Sequence, residues 1–172
     1  MARNGRGGPS RGRVPDFMPL SFAPSGSSAR TFDTGTCRAS LWFPAPRIVA
    51  ARITGAIDGP MTRDIYAAVD ERWASQGPHT DGFVDLGDVD DVDFEARTVA
   101  LRWNLAHRAY SQRLYLLVQS PVVHLAARVF SFAFPEMMRV HGERAAFETE
   151  YALVVTRRTA RTRTSQPPAA RG

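Results

Sequence analysis

Between Cys37 and Val155, short β-type runs alternate with helix-length amphipathic stretches, and this alternation limits the possible folds more than any other feature of the sequence. Strands that alternate with helices imply crossover connections and a largely parallel sheet covered by helices. The first run, Cys37 to Phe43, sets Cys37, Ala39, Leu41 and Phe43 on one side and Arg38, Ser40 and Trp42 on the other. Arg47 to Ile57 is rich in Ile, Val and Ala without clean alternation, as expected of a strand covered on both faces. Asp58-Gly59-Pro60 turns out of it into a helix whose inner face is Met61, Ile65, Ala68, Val69 and Trp73, ended by Gln76-Gly77-Pro78.

Gly82 to Leu86 reads as a short central strand, and the acidic stretch Gly87 to Asp93 as the loop that follows it. Asp93 is placed to cap a helix that starts near Phe94 and keeps Ala96, Val99, Ala100, Trp103 and His107 on one face through Tyr110. Arg113 to Val118 is a third buried-type strand. Ser120-Pro121, an oxygen acceptor followed by proline, opens a helix that runs through the apolar Val122 to Phe134 and stops at Pro135. Met137 to Val140 can form an edge strand, and Glu143 to about Val155 a closing helix. The expected architecture is one α/β domain over residues 31–155, with a parallel or mixed central sheet and helices packed on it.

Residues 1–30 and 156–172 hold mostly Gly, Pro, Ser, Thr and Arg, too few apolar groups to offset the entropy of ordering them, and are expected to be disordered tails. The formal charge of +5 divides along the chain as +4 in the first tail, +5 in the second and −4 between them. The basic balance therefore belongs to the tails, and a basic nucleic-acid-binding face on the domain is disfavoured. Every basic residue is Arg, which fits a GC-rich genome and receives no functional reading. One cysteine, Cys37, allows no intramolecular disulfide, and no zinc-type spacing exists, so a reducing cytoplasm fits best. No apolar run reaches the roughly 20 residues that cross a bilayer, and no signal-peptide stretch opens the chain.

Three patterns, in order and at compatible separations, carry a family resemblance. They are Ile53-Thr54-Gly55-Ala56-Ile57-Asp58-Gly59-Pro60, then Phe83-Val84-Asp85-Leu86-Gly87-Asp88-Val89-Asp90-Asp91-Val92-Asp93, then Arg113-Leu114-Tyr115-Leu116-Leu117-Val118 with Ser120-Pro121. Over residues 43 to 155 the chain resembles the STAS domains of anti-sigma-factor antagonists and sulfate-transporter tails. That resemblance implies a non-catalytic interaction module. In phospho-regulated members an Asp-Ser-Ser-Gly stretch supplies the phosphate acceptor; here the matching positions are Asp93-Phe94-Glu95-Ala96, without a hydroxyl. Glu95 stands at the acceptor position, where a negative charge in a first helical turn is favourable by roughly 0.3 to 1 kcal/mol. A permanent phosphate mimic and an ordinary first-turn acid are both open, the second being the commoner use of such a residue. Lacking the serine, the chain is similar to the SpoIIAA-like, STAS/SEC14-like variants of the fold, and this likeness implies binding of lipid or other apolar molecules.

Two site readings follow. A regulatory or adapter module would meet a protein partner through Asp93, Phe94, Glu95 and Arg97. A carrier or sensor of an apolar small molecule would use Phe130, Phe132, Phe134, Met137 and Met138, soft and aromatic side chains that otherwise belong to a core. The carboxylates Asp85, Asp88, Asp90, Asp91 and Asp93 lack the EF-hand order, so a solvated loop and helix cap is preferred to an ion site. His79, His107, His124 and His141 are scattered, and no nucleophile motif or phosphate loop is present, so neither catalysis nor a cofactor is expected. The arginine tails have no interleaved aromatics at the C-terminal end to stack bases, and specific nucleic-acid binding is not expected.

Overall fold

The computed structural model describes residues 21–24, 29–77 and 80–164, and places ten elements in them. In chain order these are β1 (Arg30–Asp33), β2 (Cys37–Ala45), β3 (Ile48–Ile57), α1 (Gly59–Gln76), β4 (Thr80–Val92), α2 (Phe94–Ala106), β5 (Ser111–Val118), α3 (Pro121–Ala133), β6 (Met138–His141) and α4 (Arg144–Thr164). The six strands form one mixed sheet in sequential order β1-β2-β3-β4-β5-β6. The pairs β1–β2 and β2–β3 are antiparallel, whereas β3 to β6 run parallel and need the helical crossovers that the sequence supplies.

Side-chain alternation along the strands divides the apolar residues between two cores. Val49, Ala51 and Ile53 of β3, with Leu116 and Val118 of β5, join Met61, Ile65 and Trp73 of α1 and Val123 and Ala127 of α3. On the opposite face Trp42, Ile48, Ala50, Phe83, Tyr115 and Leu117 pack with Phe147, Tyr151 and Val155 of α4. Phe22 completes this second core: its ring lies 4.8 Å from those of Trp42 and Phe147, and its carbonyl accepts a 2.6 Å bond from Arg52. Arg52 also belongs to a buried ion network. Asp85, fully buried on β4, accepts from Arg52 Nε at 3.0 Å, Arg144 Nη1 at 2.6 Å and the Gly87 N–H at 3.0 Å. Burial alone would raise this carboxyl, but the hydrogen bonds from Arg144, Gly87 and Arg52 outweigh it and hold it below the ordinary carboxylate value.

Several expectations change. Gly87 to Val92 is not a loop, because β4 continues beside β3 through the Ile57–Val92 pair. β5 stops opposite Leu86, so Asp88, Asp90 and Asp91 lie exposed on a strand extension flanked only by β3. Helix α4 continues through residues 156–164, which had been assigned to the basic tail, and Arg158 anchors that extension with a 2.8 Å bond to buried Asp81 and a 2.6 Å bond to Gln112. Phe22 and Arg30 fall within the expected N-terminal tail, yet one is buried and the other starts β1. Residues 1–20, 25–28 and 165–172, and with them most of the expected N-terminal tail and the end of the C-terminal one, lie outside the described residues. Ser120 precedes α3 without a side-chain capping bond; it is its carbonyl that accepts, from the His124 N–H at 2.8 Å.

Candidate functional site

The helices on the first face do not cover the sheet evenly. α1 starts at Asp58, whose side chain accepts from the Met61 N–H at 2.8 Å, and α1 lies against β1, β2 and β3. α2 starts at Asp93, whose carboxylate accepts from the Ala96 N–H at 2.5 Å, but α2 packs chiefly on α1. The attachment is aromatic and polar. Tyr66 of α1 stacks on Trp103 of α2 with centroids 4.2 Å apart, Trp103 Nε1 donates to Asp70 at 3.1 Å, and Asn104 Nδ2 donates to the Tyr66 hydroxyl at 3.1 Å. Because of this, α2 buries only Ala96 and Asn104. α3 takes the other end of the face, over β4, β5 and β6.

Between α2 and α3 an open groove of about 570 Å³ remains, a volume in the range of small-molecule sites. Its floor is Ile53, Val84, Leu86, Leu114 and Leu116, contributed by β3, β4 and β5. Phe94, Ala100 and Leu101 wall it on one side; Val122, Leu125, Val129 and Phe130 wall it on the other, with Met138 at the β6 end. The walls leave much apolar surface in water: Phe94 is 78% exposed, Leu125 66% and Val129 65%. A contiguous exposed apolar surface of this kind marks an interaction site more often than scattered single residues do. Polar groups are few. Thr62, Tyr66 and Asn104 stand on the α1–α2 side, and Arg97, exposed, stands on the rim with its Nε bonded to the Asp93 carbonyl at 3.2 Å.

The residues proposed from sequence scatter in an informative way. Of the partner-binding set, Phe94 and Arg97 line the groove. Asp93 is engaged as the α2 cap, and Glu95 binds Arg63 of α1 at 2.5 Å and packs over Gly59, so close that a Cβ there would collide with the Glu95 side chain. Glu95 thus faces the first turns of two helices, a position where its charge is favourable. Of the apolar set, Phe130 and Met138 line the groove, Phe134 and Met137 are buried, and Phe132, 82% exposed, points into water. The groove joins members of both sets. Val122, Leu125, Val129 and Leu101 also line it outside both expected sets, and Val122, Leu125 and Val129 recur at helical spacing along α3.

Other chemistry-bearing residues are placed for structure. Cys37 is buried, and burial, then the charges of Asp58 and Asp33, push its thiol up to about 11, which leaves no thiolate at neutral pH. Among the described residues no three His, Cys, Asp or Glu side chains stand together as a metal site. Nor is any helix among them long and apolar enough to cross a membrane.

No protein-family model and no curated protein matches the sequence. In three dimensions the chain is similar to the crystal structure of an uncharacterized protein of the DUF3478 family with a SpoIIAA-like fold, from Shewanella loihica PV-4. The superposition has a TM-score of 0.50 at 12% identity and covers 76% of this chain and 99% of that one. The fold is SpoIIAA-like. The STAS-like α/β architecture read from the three sequence patterns is therefore the architecture of the domain. The likeness concerns the fold, and the use of the SpoIIAA-like domain is argued from the groove.

Proposed function

We propose that this SpoIIAA-like domain is a non-catalytic binding module that carries or senses an elongated apolar small molecule or lipid chain in the groove between α2 and α3. The observation that carries the reading is the groove itself, with a sheet floor of Ile, Val and Leu and two helical walls that leave Phe94, Leu125 and Val129 in water. Covering that surface with an apolar chain is favourable by about 25 cal/mol per Å² removed from water. Arg97 at the rim would meet solvent or a polar end. The adapter reading is the second proposal, with Phe94 and Arg97 as its exposed contacts in the groove, since the Asp93 and Glu95 carboxylates are engaged within the domain.

Titration of the purified protein with a fluorescent apolar probe such as 1-anilinonaphthalene-8-sulfonate, followed by displacement with a decyl chain, tests the proposal. Leu101→Glu sets a charge on the groove wall at a position already 36% exposed, so folding tolerates it. Probe binding should fall at least tenfold in this variant while the melting temperature stays close to the parent's. Equal probe binding by both proteins would remove the groove as the site.

A further inference from the structure

Among the few polar groups that line the groove, one pair is chemically specific. Asn104 is 5% exposed, yet it lies on α2 among the lining residues. Its Nδ2 donates to the Ala100 carbonyl at 2.8 Å and to the Tyr66 hydroxyl at 3.1 Å, which engages both amide hydrogens. The Ala100 carbonyl can only accept, so it fixes the amide orientation and places Oδ1 on the other side. Among the described residues no donor reaches Oδ1, which is not sealed off from the groove, and the Tyr66 hydroxyl accepts from Asn104 without a bond made by its own hydrogen. Thr62 beside them already donates to the Asp58 carbonyl at 2.8 Å. A ligand that covers these atoms without pairing them incurs the cost of an unpaired polar group, and one that supplies the partner is favoured accordingly.

Building on the apolar-groove reading, we propose that Asn104 and Tyr66 select a neutral hydroxyl group, so that the ligand class is a long-chain alcohol rather than a fatty acid or a plain hydrocarbon. The alcohol O–H donates to Asn104 Oδ1 and its oxygen accepts from the Tyr66 hydroxyl. A carboxylate has no hydrogen to give Asn104 Oδ1 and would meet its lone pairs, with no buried cation beside it. Tyr66 remains protonated for this role, because burial pushes its hydroxyl up to about 12. Arg97 stands on the exposed rim, where it stays in solvent.

The test is displacement of the fluorescent probe from the full chain by 1-decanol, by its methyl ether and by decanoate, with Tyr66→Phe and Asn104→Leu variants checked for unchanged melting. Decanol is expected to bind about tenfold more tightly than the ether, the effect of roughly one well-made hydrogen bond. Asn104→Leu is expected to bring decanol down to the ether's affinity and to leave the ether unchanged, whereas Tyr66→Phe, which removes the donor both ligand oxygens use, should weaken decanol and ether alike. Tyr66→Phe keeps the ring that stacks on Trp103, so it reports the hydroxyl even if Asn104→Leu loosens α2. Equal binding of decanol, ether and decanoate, a decanol advantage that survives Asn104→Leu, or decanol binding unchanged in Tyr66→Phe overturns the hydroxyl selection while the apolar groove stands. Failure of all three to displace the probe overturns the groove reading as well.

Discussion

Three phenylalanines separate folding from binding. Phe94 is 78% exposed and lines the groove, Phe132 is 82% exposed and does not, and Phe134 is 2% exposed in the core. An aromatic side chain can bury about 150–250 Å², so Phe94 keeps most of that area available to a ligand. If a bound chain covers about half of it, some 80 Å² leaves water, worth about 2 kcal/mol, or roughly a thirtyfold change in affinity. Phe94→Ala should therefore weaken decanol or probe binding by about that factor and change unfolding stability by less than about 0.5 kcal/mol. Phe134→Ala should cost about 3–5 kcal/mol of stability, and Phe132→Ala should alter neither quantity. Urea unfolding followed by tryptophan fluorescence, with probe titration on the same samples, measures both. A Phe94→Ala protein that binds like the parent, or that loses more than about 1 kcal/mol of stability, refutes the division drawn here.

Asp85→Asn leaves Arg52 and Arg144 facing one another without their carboxylate, and because both arginines are about one-third exposed the loss should fall near 3 kcal/mol, the lower end for a broken buried pair. Asp88→Asn, whose carboxylate is 65% exposed and 3.9 Å from Arg144, should change stability by less than about 0.5 kcal/mol in the same urea experiment. Because the folded Asp85 carboxyl lies below its ordinary value of 3.8, its contribution is present above that pH and is lost as pH falls through the lower folded value. Stability measured against pH should show this group's loss only below about pH 4, and Asp85→Asn should flatten that limb. Gly55 has φ of 84° and a Cβ there would run into the Thr36 carbonyl, whereas Gly35 at φ 86° faces open space. Gly55→Ala should thus cost more than about 2 kcal/mol, and Gly35→Ala only the left-handed penalty of about 1 kcal/mol, by thermal or urea melts.

Much of the architecture is legible in the sequence because each pattern has a local cause. Asp58 and Asp93 cap their helices as their positions before apolar faces suggest, and Gly77, at φ 76°, ends α1. Elsewhere long-range partners override composition. The aspartates after Gly87 suggest a loop, but the end of β4 that runs on past β5 tolerates them because their side chains face water. The arginines after Thr156 suggest a solvated tail, but Asp81 and Gln112, far away in sequence, meet Arg158. Phe22, set among Pro and Ser, has no periodicity to announce it, and only Trp42, Phe147 and Tyr151 make it a core residue. The groove is the least legible feature. Helical periodicity identifies an apolar face but not whether that face meets a sheet, a neighbouring helix or an open space, and α2 packs on α1 through Tyr66, Trp103 and Asn104. Glu95 illustrates the converse, a position marked by resemblance whose charge is bound to Arg63.

Native mass spectrometry of the full chain, purified from cells without detergent, addresses the central claim most directly. The account predicts a population carrying one small apolar molecule, released by mild activation, absent from Leu101→Glu and reduced in Phe94→Ala. A protein that arrives bare, and stays bare after incubation with decyl-chain alcohol, contradicts it.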